Sequence, residues 1–178
     1  MVITGPSGVG KGTLIKGLLQ EFPGLQLAVS ATTRKPREGE ENGRDYHFLS
    51  GEEFERRAQN GEFVEHATYA GNRYGTLRSE LERPARGIVL EIDLQGARQV
   101  RDTLPEAAQI FIEPPSLEVL RERLRDRGSD SEEQIERRLA VAPQELAAAD
   151  EFGYRVVNDD LASALEELTR LAARMCPP

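Results

Sequence analysis

Tryptophan is absent, cysteine occurs once, and aromatic residues fill only 6% of the 178 positions. The single Cys176 excludes an internal disulfide framework and suits a reducing compartment. With few aromatics, the core falls to aliphatic side chains. A hydrophobic fraction of 38% is enough for one compact α/β core with small mobile inserts. Positive charge is also short: 23 Lys and Arg stand against 31 Asp and Glu, a formal net charge of −8. Such a surface repels a phosphate backbone, so no nucleic-acid partner is expected, and any phosphate-binding basic residues must be concentrated. No apolar run approaches membrane-spanning length, so no membrane partner is expected. The first strand leads straight into a loop, so no signal peptide is expected and a cytoplasmic location follows.

The concentration sought lies at the start. The β-branched run Val2-Ile3-Thr4 feeds Gly5-Pro6-Ser7-Gly8-Val9-Gly10-Lys11-Gly12-Thr13, and Leu14 to Leu19 reads as a helix start. Gly5, Gly8 and Gly10 let the backbone turn tightly and aim successive N–H groups at one anion. The helix beginning near Lys11 adds its positive end, and the lysine adds a mobile full charge. Together these bind the phosphates of a nucleoside triphosphate, in the pattern G-x-x-x-x-G-K. The pattern wants Ser or Thr directly after the lysine, and here Gly12 precedes Thr13. The Thr13 hydroxyl is therefore expected at a different phosphate oxygen, with no direct Mg²⁺ ligation assigned. A glycine-rich turn with a solvated lysine is the plainer alternative, and the order strand, loop, lysine, helix argues against it.

Along the chain, Leu14, Ile15, Leu18, Leu19 and Phe22 recur at helical spacing and Pro23-Gly24 stops them. Leu25 to Val29 reads as a buried strand. The apolar pattern ends at Ser30, and Glu38 to Asp45 reads as an exposed loop. Ser50 with Glu53 predicts a capping box for a helix towards Asn60. Residues 30 to about 80 therefore read as a small mixed insert with its own sheet. Gly87 to Asp93 is an apolar run ending in acid, as a central parallel strand ends, and its Glu91 and Asp93 share one face where open α/β sheets bind ligands. A strand at Ile110–Ile112 and a helical stripe of Leu117, Leu120 and Leu124 follow. Ser131 and Gln134 cap a charged helix holding Arg137 and Arg138. Tyr154 to Val157 is the last strand and Leu161 to Ala173 the closing helix.

These residues carry a resemblance over nearly the whole chain. G-P-S-G-V-G-K-G-T, S-A-T-T-R-K-P-R, N-G-x-D-Y-x-F, the Glu65 strand, N-x-Y-G-T, E-I-D-x-Q-G, R-G-S-D-S-E-E and V-N-D-D occur in that order, and the sequence resembles guanylate kinase. The resemblance implies an α/β fold: a three-layer phosphate-loop NTPase core with a parallel sheet (1–29, 81–127 and 150–178), a mixed α/β GMP-binding insert (30–80) and a helical lid (128–149). It implies Mg²⁺-assisted phosphate transfer from ATP to GMP; the sequence does not decide whether dGMP is also an acceptor or whether the protein is a monomer or a weak homo-oligomer. Three departures stand out: Glu91 where many members carry Asp, Pro143 interrupting the lid helix, and a very short first strand.

The residue roles follow from the resemblance, weighed against plainer readings. Arg34, Arg37 and Tyr46 form a fork for a monophosphate, and Arg suits bidentate contacts; the plainer reading is a solvated charged loop. Ser30, Glu65, Thr76 and Asp93 resemble the guanine-reading contacts, with Glu91 beside them. Glu65 is the sharpest, because guanine presents N1–H and N2–H₂ side by side to one carboxylate. Tyr74 packs or adds a phosphate contact. Lys11, Arg127 and Arg138 are the catalytic residues, neutralising the transferring phosphoryl group. Arg121, Arg123, Arg125 and Arg137 are expected to pair with Glu118, Glu122, Asp126 and Glu136 on helix surfaces. Thr13 or Asp93 is a candidate for Mg²⁺ through water. Asn158 sits beside the adenine or is a turn asparagine, and the sequence does not choose. A second class of reading is a guanylate-kinase-like module that binds phosphopeptide; the intact Lys11 loop with Arg127 and Arg138 favours the enzyme. A kinase for another phosphorylated acceptor is a third, and Glu65 with Ser30 argues against it.

Overall fold

The β-branched Val2, Ile3 and Thr4 form strand β1 (Val2–Thr4), and none of the three is exposed. Such a strand must be covered on both faces. In the computed structural model, which describes residues 1–69, 71–126, 128 and 131–176, it lies mid-sheet. The sheet has five parallel strands, in the order β2 (Leu25–Leu27), β7 (Gly87–Glu91), β1, β8 (Gln109–Glu113) and β9 (Tyr154–Val157).

Side-chain alternation divides the core into two apolar layers. Ile3, Val89, Ile110, Ile112 and Val156 pack with helices α1 (Lys11–Glu21), α5 (Leu117–Asp126), α6 (Glu132–Ala147) and α7 (Leu161–Met175). Their neighbours Val2, Leu90 and Phe111 turn the other way, onto Ala97 and Val100 of α4 (Leu94–Thr103) and onto Phe152. The result is the expected α/β layering, with helices on both sheet faces.

A second sheet has its own order: β4 (His47–Phe48), β3 (Ala31–Thr32), β6 (Asn72–Leu77), β5 (Phe63–Tyr69). Only β3 and β4 run parallel; the other two pairings are antiparallel. Helix α2 (Gly51–Gln59) covers it through Phe54, stacked on Phe63 with ring centroids 4.4 Å apart. The short helix α3 (Arg78–Leu81) leads back to the main sheet. Its buried Glu80 accepts from Val29 N–H at 2.8 Å, contacts His47 Nε2 at 2.8 Å and accepts from Arg83 at 2.9 Å, tying the exit of β2 to β4.

Four sequence expectations change. Ala31 and Thr32, past the end of the apolar pattern and assigned to no strand, form β3 and are wholly buried. The capping box at Ser50 is only half made: Ser50 Oγ accepts from Glu53 N–H, but the Glu53 carboxylate faces Arg56 and Arg57. Helix α6 runs unbroken through Pro143, whose ring lies on the exposed side while Ile135, Leu139 and Ala142 pack inward. The missing N–H removes one helical bond, and burial of the other face holds the helix together. The surface arginines pair between helices or elsewhere: Arg121 with Glu136 at 2.7 Å as expected, but Arg125 with Glu132 and Arg137 with Glu133.

Candidate active site

The loop after β1 takes the shape its glycines permit. Gly5 has φ +142°, and a Cβ there would lie 2.2 Å from the carbonyl oxygen of Ile112. Gly10, at φ +97°, caps α1, whose open N–H groups face into the loop. Lys11 Nζ folds back onto the carbonyls of Gly5 (2.7 Å) and Pro6 (3.1 Å). Burial pushes this ammonium below its ordinary value, opposed by Glu91, Glu145 and Asp93. Arg138, on α6, donates to Ser7 Oγ.

Two cavities meet at this loop. One, of about 900 Å³, is lined by Ser7, Gly8, Gly10, Lys11, Gly12, Thr13, Arg123 and Asn158. The other, of about 320 Å³, is lined by Ser30, Tyr46, Glu65, Ala67, Tyr69, Tyr74, Asp93 and Glu145. Ser7, Lys11, Tyr46 and Glu91 belong to both walls. Pro6 and Val9 stay behind the loop, with both residues buried.

In the smaller cavity Glu65 is 5% exposed and accepts from Thr76 Oγ1 at 2.7 Å. Burial, reinforced by Asp93, raises its carboxyl to about 7, against the lowering pull of Thr76. Thr76 therefore stands behind Glu65 rather than on the cavity wall. Asp93 caps α4, accepting from Gly96 N–H at 2.8 Å, and β7 ends two residues before it. Arg34 is clamped by Glu40 at 2.9 Å, and its guanidinium lies 5.2 Å from the Tyr46 ring centroid. Tyr74 meets Tyr46 edge-on at 6.2 Å. The Arg37 side chain is exposed, and its backbone joins this group, its N–H donating to the Glu40 carboxylate and its carbonyl accepting from Glu40 N–H. Arg127 lies outside the described residues.

Three side chains escaped the sequence reading. Arg123, assigned to a helix surface, donates to the carbonyls of Val9 (3.5 Å) and Asp159 (3.2 Å) and lines the larger cavity. Glu145 reaches the smaller cavity from α6, with burial raising its carboxyl and Lys11 opposing that rise. Its signal was spacing, since seven residues from Arg138 is two helical turns and hence one face. Tyr69 follows Glu65 and Ala67 by strand alternation and stands 40% exposed at the rim. Asn158 lines the larger cavity, its Nδ2 donates to Val9 O at 2.8 Å, and the residue is 4% exposed.

The chain matches the family model described as "Guanylate kinase" over residues 1–174. A guanylate kinase of Gloeobacter violaceus is 54% identical over 180 residues, covering 99% of this chain and 88% of that protein. One of Synechocystis is 56% identical over 174 residues, covering 96% and 91%. The crystal structure of a guanylate kinase from Anaplasma phagocytophilum superposes with a TM-score of 0.79 at 34% identity, covering 99% of this chain and 85% of that one. A gluconokinase structure from Sinorhizobium meliloti, 19% identical with a TM-score of 0.52 and covering 98% and 91%, shares the fold alone.

Proposed function

The chain belongs to the guanylate kinase family and is a kinase acting on GMP with ATP, and we propose that the larger cavity holds ATP, the smaller holds GMP, and phosphate passes between them at Lys11. The observation that carries this reading is the shared wall of Ser7, Lys11, Tyr46 and Glu91. A phosphoryl group in transfer needs its donor and acceptor oxygens in line and its spread charge neutralised, with little covalent help. The loop N–H groups and α1 cradle the triphosphate, with Gly5, Pro6, Ser7, Gly8, Val9, Gly10, Gly12 and Thr13 shaping the site. When phosphate arrives, Lys11 exchanges its loop carbonyls for phosphate oxygens. Arg138, from the lid, approaches the moving group from the other side, and the resemblance gives Arg127 the same role. Glu65 accepts guanine N1–H and N2–H₂, with Ser30, Thr76 and Asp93 around it. Arg34, Arg37, Tyr46 and Tyr74 take the acceptor phosphate.

The residues fit a Mg²⁺ ion that arrives on ATP with its own waters. Among the described residues no cluster of three His, Cys, Asp or Glu forms a cage, while the Thr13 hydroxyl, Glu91 and Asp93 offer oxygens around the shared wall. Bound there, the ion supplies charge neutralisation at the triphosphate.

A coupled assay of ATP consumption tests the assignment. GMP should support rapid turnover, AMP weak turnover and pyrimidine monophosphates little. ATP consumption without preference among acceptors would overturn the placement of guanine on Glu65.

A further inference from the structure

Resting on that acceptor reading, we propose that Glu40 is the positioning residue of the phosphate fork: it grips one end of the Arg34 guanidinium and leaves the opposite edge for the acceptor phosphate. The geometry is specific about which donors are taken. Arg34 Nη1 and Nη2 donate to the two Glu40 oxygens, each at 2.9 Å, and Nη1 also donates to the Lys35 carbonyl at 2.8 Å. A guanidinium has five N–H groups. These bonds consume both hydrogens on Nη1 and one on Nη2. What remains is Nε–H with the second Nη2–H, a parallel pair along one edge, and the Tyr74 phenol interacts with the same guanidinium. That edge suits two oxygens of one phosphate.

Glu40 is itself held. A turn brings its N–H to the Arg37 carbonyl at 3.1 Å, and its Oε2 accepts from Arg37 N–H at 2.7 Å. Arg34 N–H is pinned by Thr32 Oγ1 at 3.1 Å, and the guanidinium lies over Tyr46 and Phe48. The Arg34 and Glu40 side chains are 16% and 18% exposed, so the pair is shielded more than a surface ion pair. The Arg34 cation and the Arg37 N–H hold the Glu40 carboxyl down at about 2, so it stays an anion at neutral pH. An anion among phosphate-binding arginines could instead compete with the substrate. The donor count separates the two roles, because a competitor would occupy the edge that Glu40 leaves vacant.

The test compares dissociation constants of GMP and guanosine for the parent, E40Q, E40A and R34A/E40Q. E40Q keeps the size and removes the charge, and E40A serves as the second variant should the amide disturb the turn. GMP should weaken roughly tenfold in either Glu40 variant, the scale of one charge-assisted hydrogen bond, while guanosine binds as before. Turnover at saturating GMP should stay within about twofold of the parent, placing the loss in KM. In the R34A background the Glu40 change should add nothing. Tighter GMP binding, equal losses for GMP and guanosine, or full additivity with R34A would each overturn the proposal. A parent protein that binds guanosine as well as GMP would instead overturn the acceptor reading itself.

Discussion

Thr76 donates its hydroxyl to Glu65 at 2.7 Å, from the strand position directly opposite across the β5–β6 ladder. One carboxylate oxygen is thus engaged from behind. The other lies 2.6 Å from where a Cβ on Gly96 would project, so a side chain at that position of α4 would collide with it. A strand and a helix therefore confine one buried acid, and its orientation is set before any base arrives. In such a site a missing partner is felt as an unpaired buried group, which is how a pocket rejects a close analogue.

Base choice should depend on that acid. Guanine offers a hydrogen at N1 where adenine offers a lone pair. Replacing Glu65 with Ala should cost about 2–4 kcal/mol in kcat/KM for GMP, the loss of two hydrogen bonds to a charged acceptor. The ratio of GMP to AMP activity should narrow, because the repulsion against adenine N1 goes as well. An unchanged ratio in the variant would move base reading to Ser30 or Asp93.

The pH dependence has a definite sign. Burial, with Asp93 adding, lifts the Glu65 carboxyl from 4.5 to about 7, and guanine requires the ionised form. GMP affinity should therefore be flat above about pH 8 and fall about tenfold per unit well below pH 7. Binding near pH 7 should release a proton, visible by calorimetry in buffers of different ionisation heat. Stability runs in the matching direction. The folded state holds this proton more tightly than the unfolded one, so the contribution is full below 4.5 and is lost as pH rises through about 7. E65Q should remove that slope from the melting temperature of the unliganded protein, and an identical slope in E65Q would assign it to another group.

Much of this was legible in sequence because the signals are local. The Gly5–Thr13 loop, the apolar run into Glu91 and the Ser131–Gln134 capping box all declare themselves by spacing, and the structure carries each element there. β3 was not legible, since two residues carry no period and Ala31 and Thr32 pair with strands 16 and 42 to 44 positions away. Arg123 was misread for a related reason. On a helix dense with alternating charge, only the fold reveals which guanidinium turns towards Val9 and which meets a neighbouring acid. Glu145 and Glu40 are single acids whose meaning comes from the cations the fold brings to them.

Lys11 should matter to rate far more than to folding. K11M should lower kcat by roughly a hundredfold or more, as for loss of one preorganised electrostatic donor. Its two bonds to loop carbonyls are replaceable by water, so the melting temperature should move little. A variant within about tenfold of the parent rate would remove the lysine from the transition state.

The last prediction concerns what keeps the phosphate loop in shape. Asn158 Nδ2 lies 2.6 Å from the position a Cβ on Gly10 would take, and the same group donates to Val9 O at 2.8 Å. Its own N–H is anchored to the Glu113 carbonyl at 2.8 Å, so the C-terminal end of the sheet braces the loop from beneath. Asn158→Ala should cost about 1–2 kcal/mol of stability through the lost bond. Gly10→Ala should cost about 1–3 kcal/mol, from the left-handed backbone and the collision together. The double variant relieves the collision and keeps the strain, so its cost should fall short of the sum by about 1 kcal/mol. Turnover with ATP and with GTP as donor separates the brace from a base contact. A brace lowers both donors by the same factor, whereas a residue reading adenine changes their ratio. Additive stabilities with a shifted ATP-to-GTP ratio would place Asn158 at the base and leave the loop to hold itself.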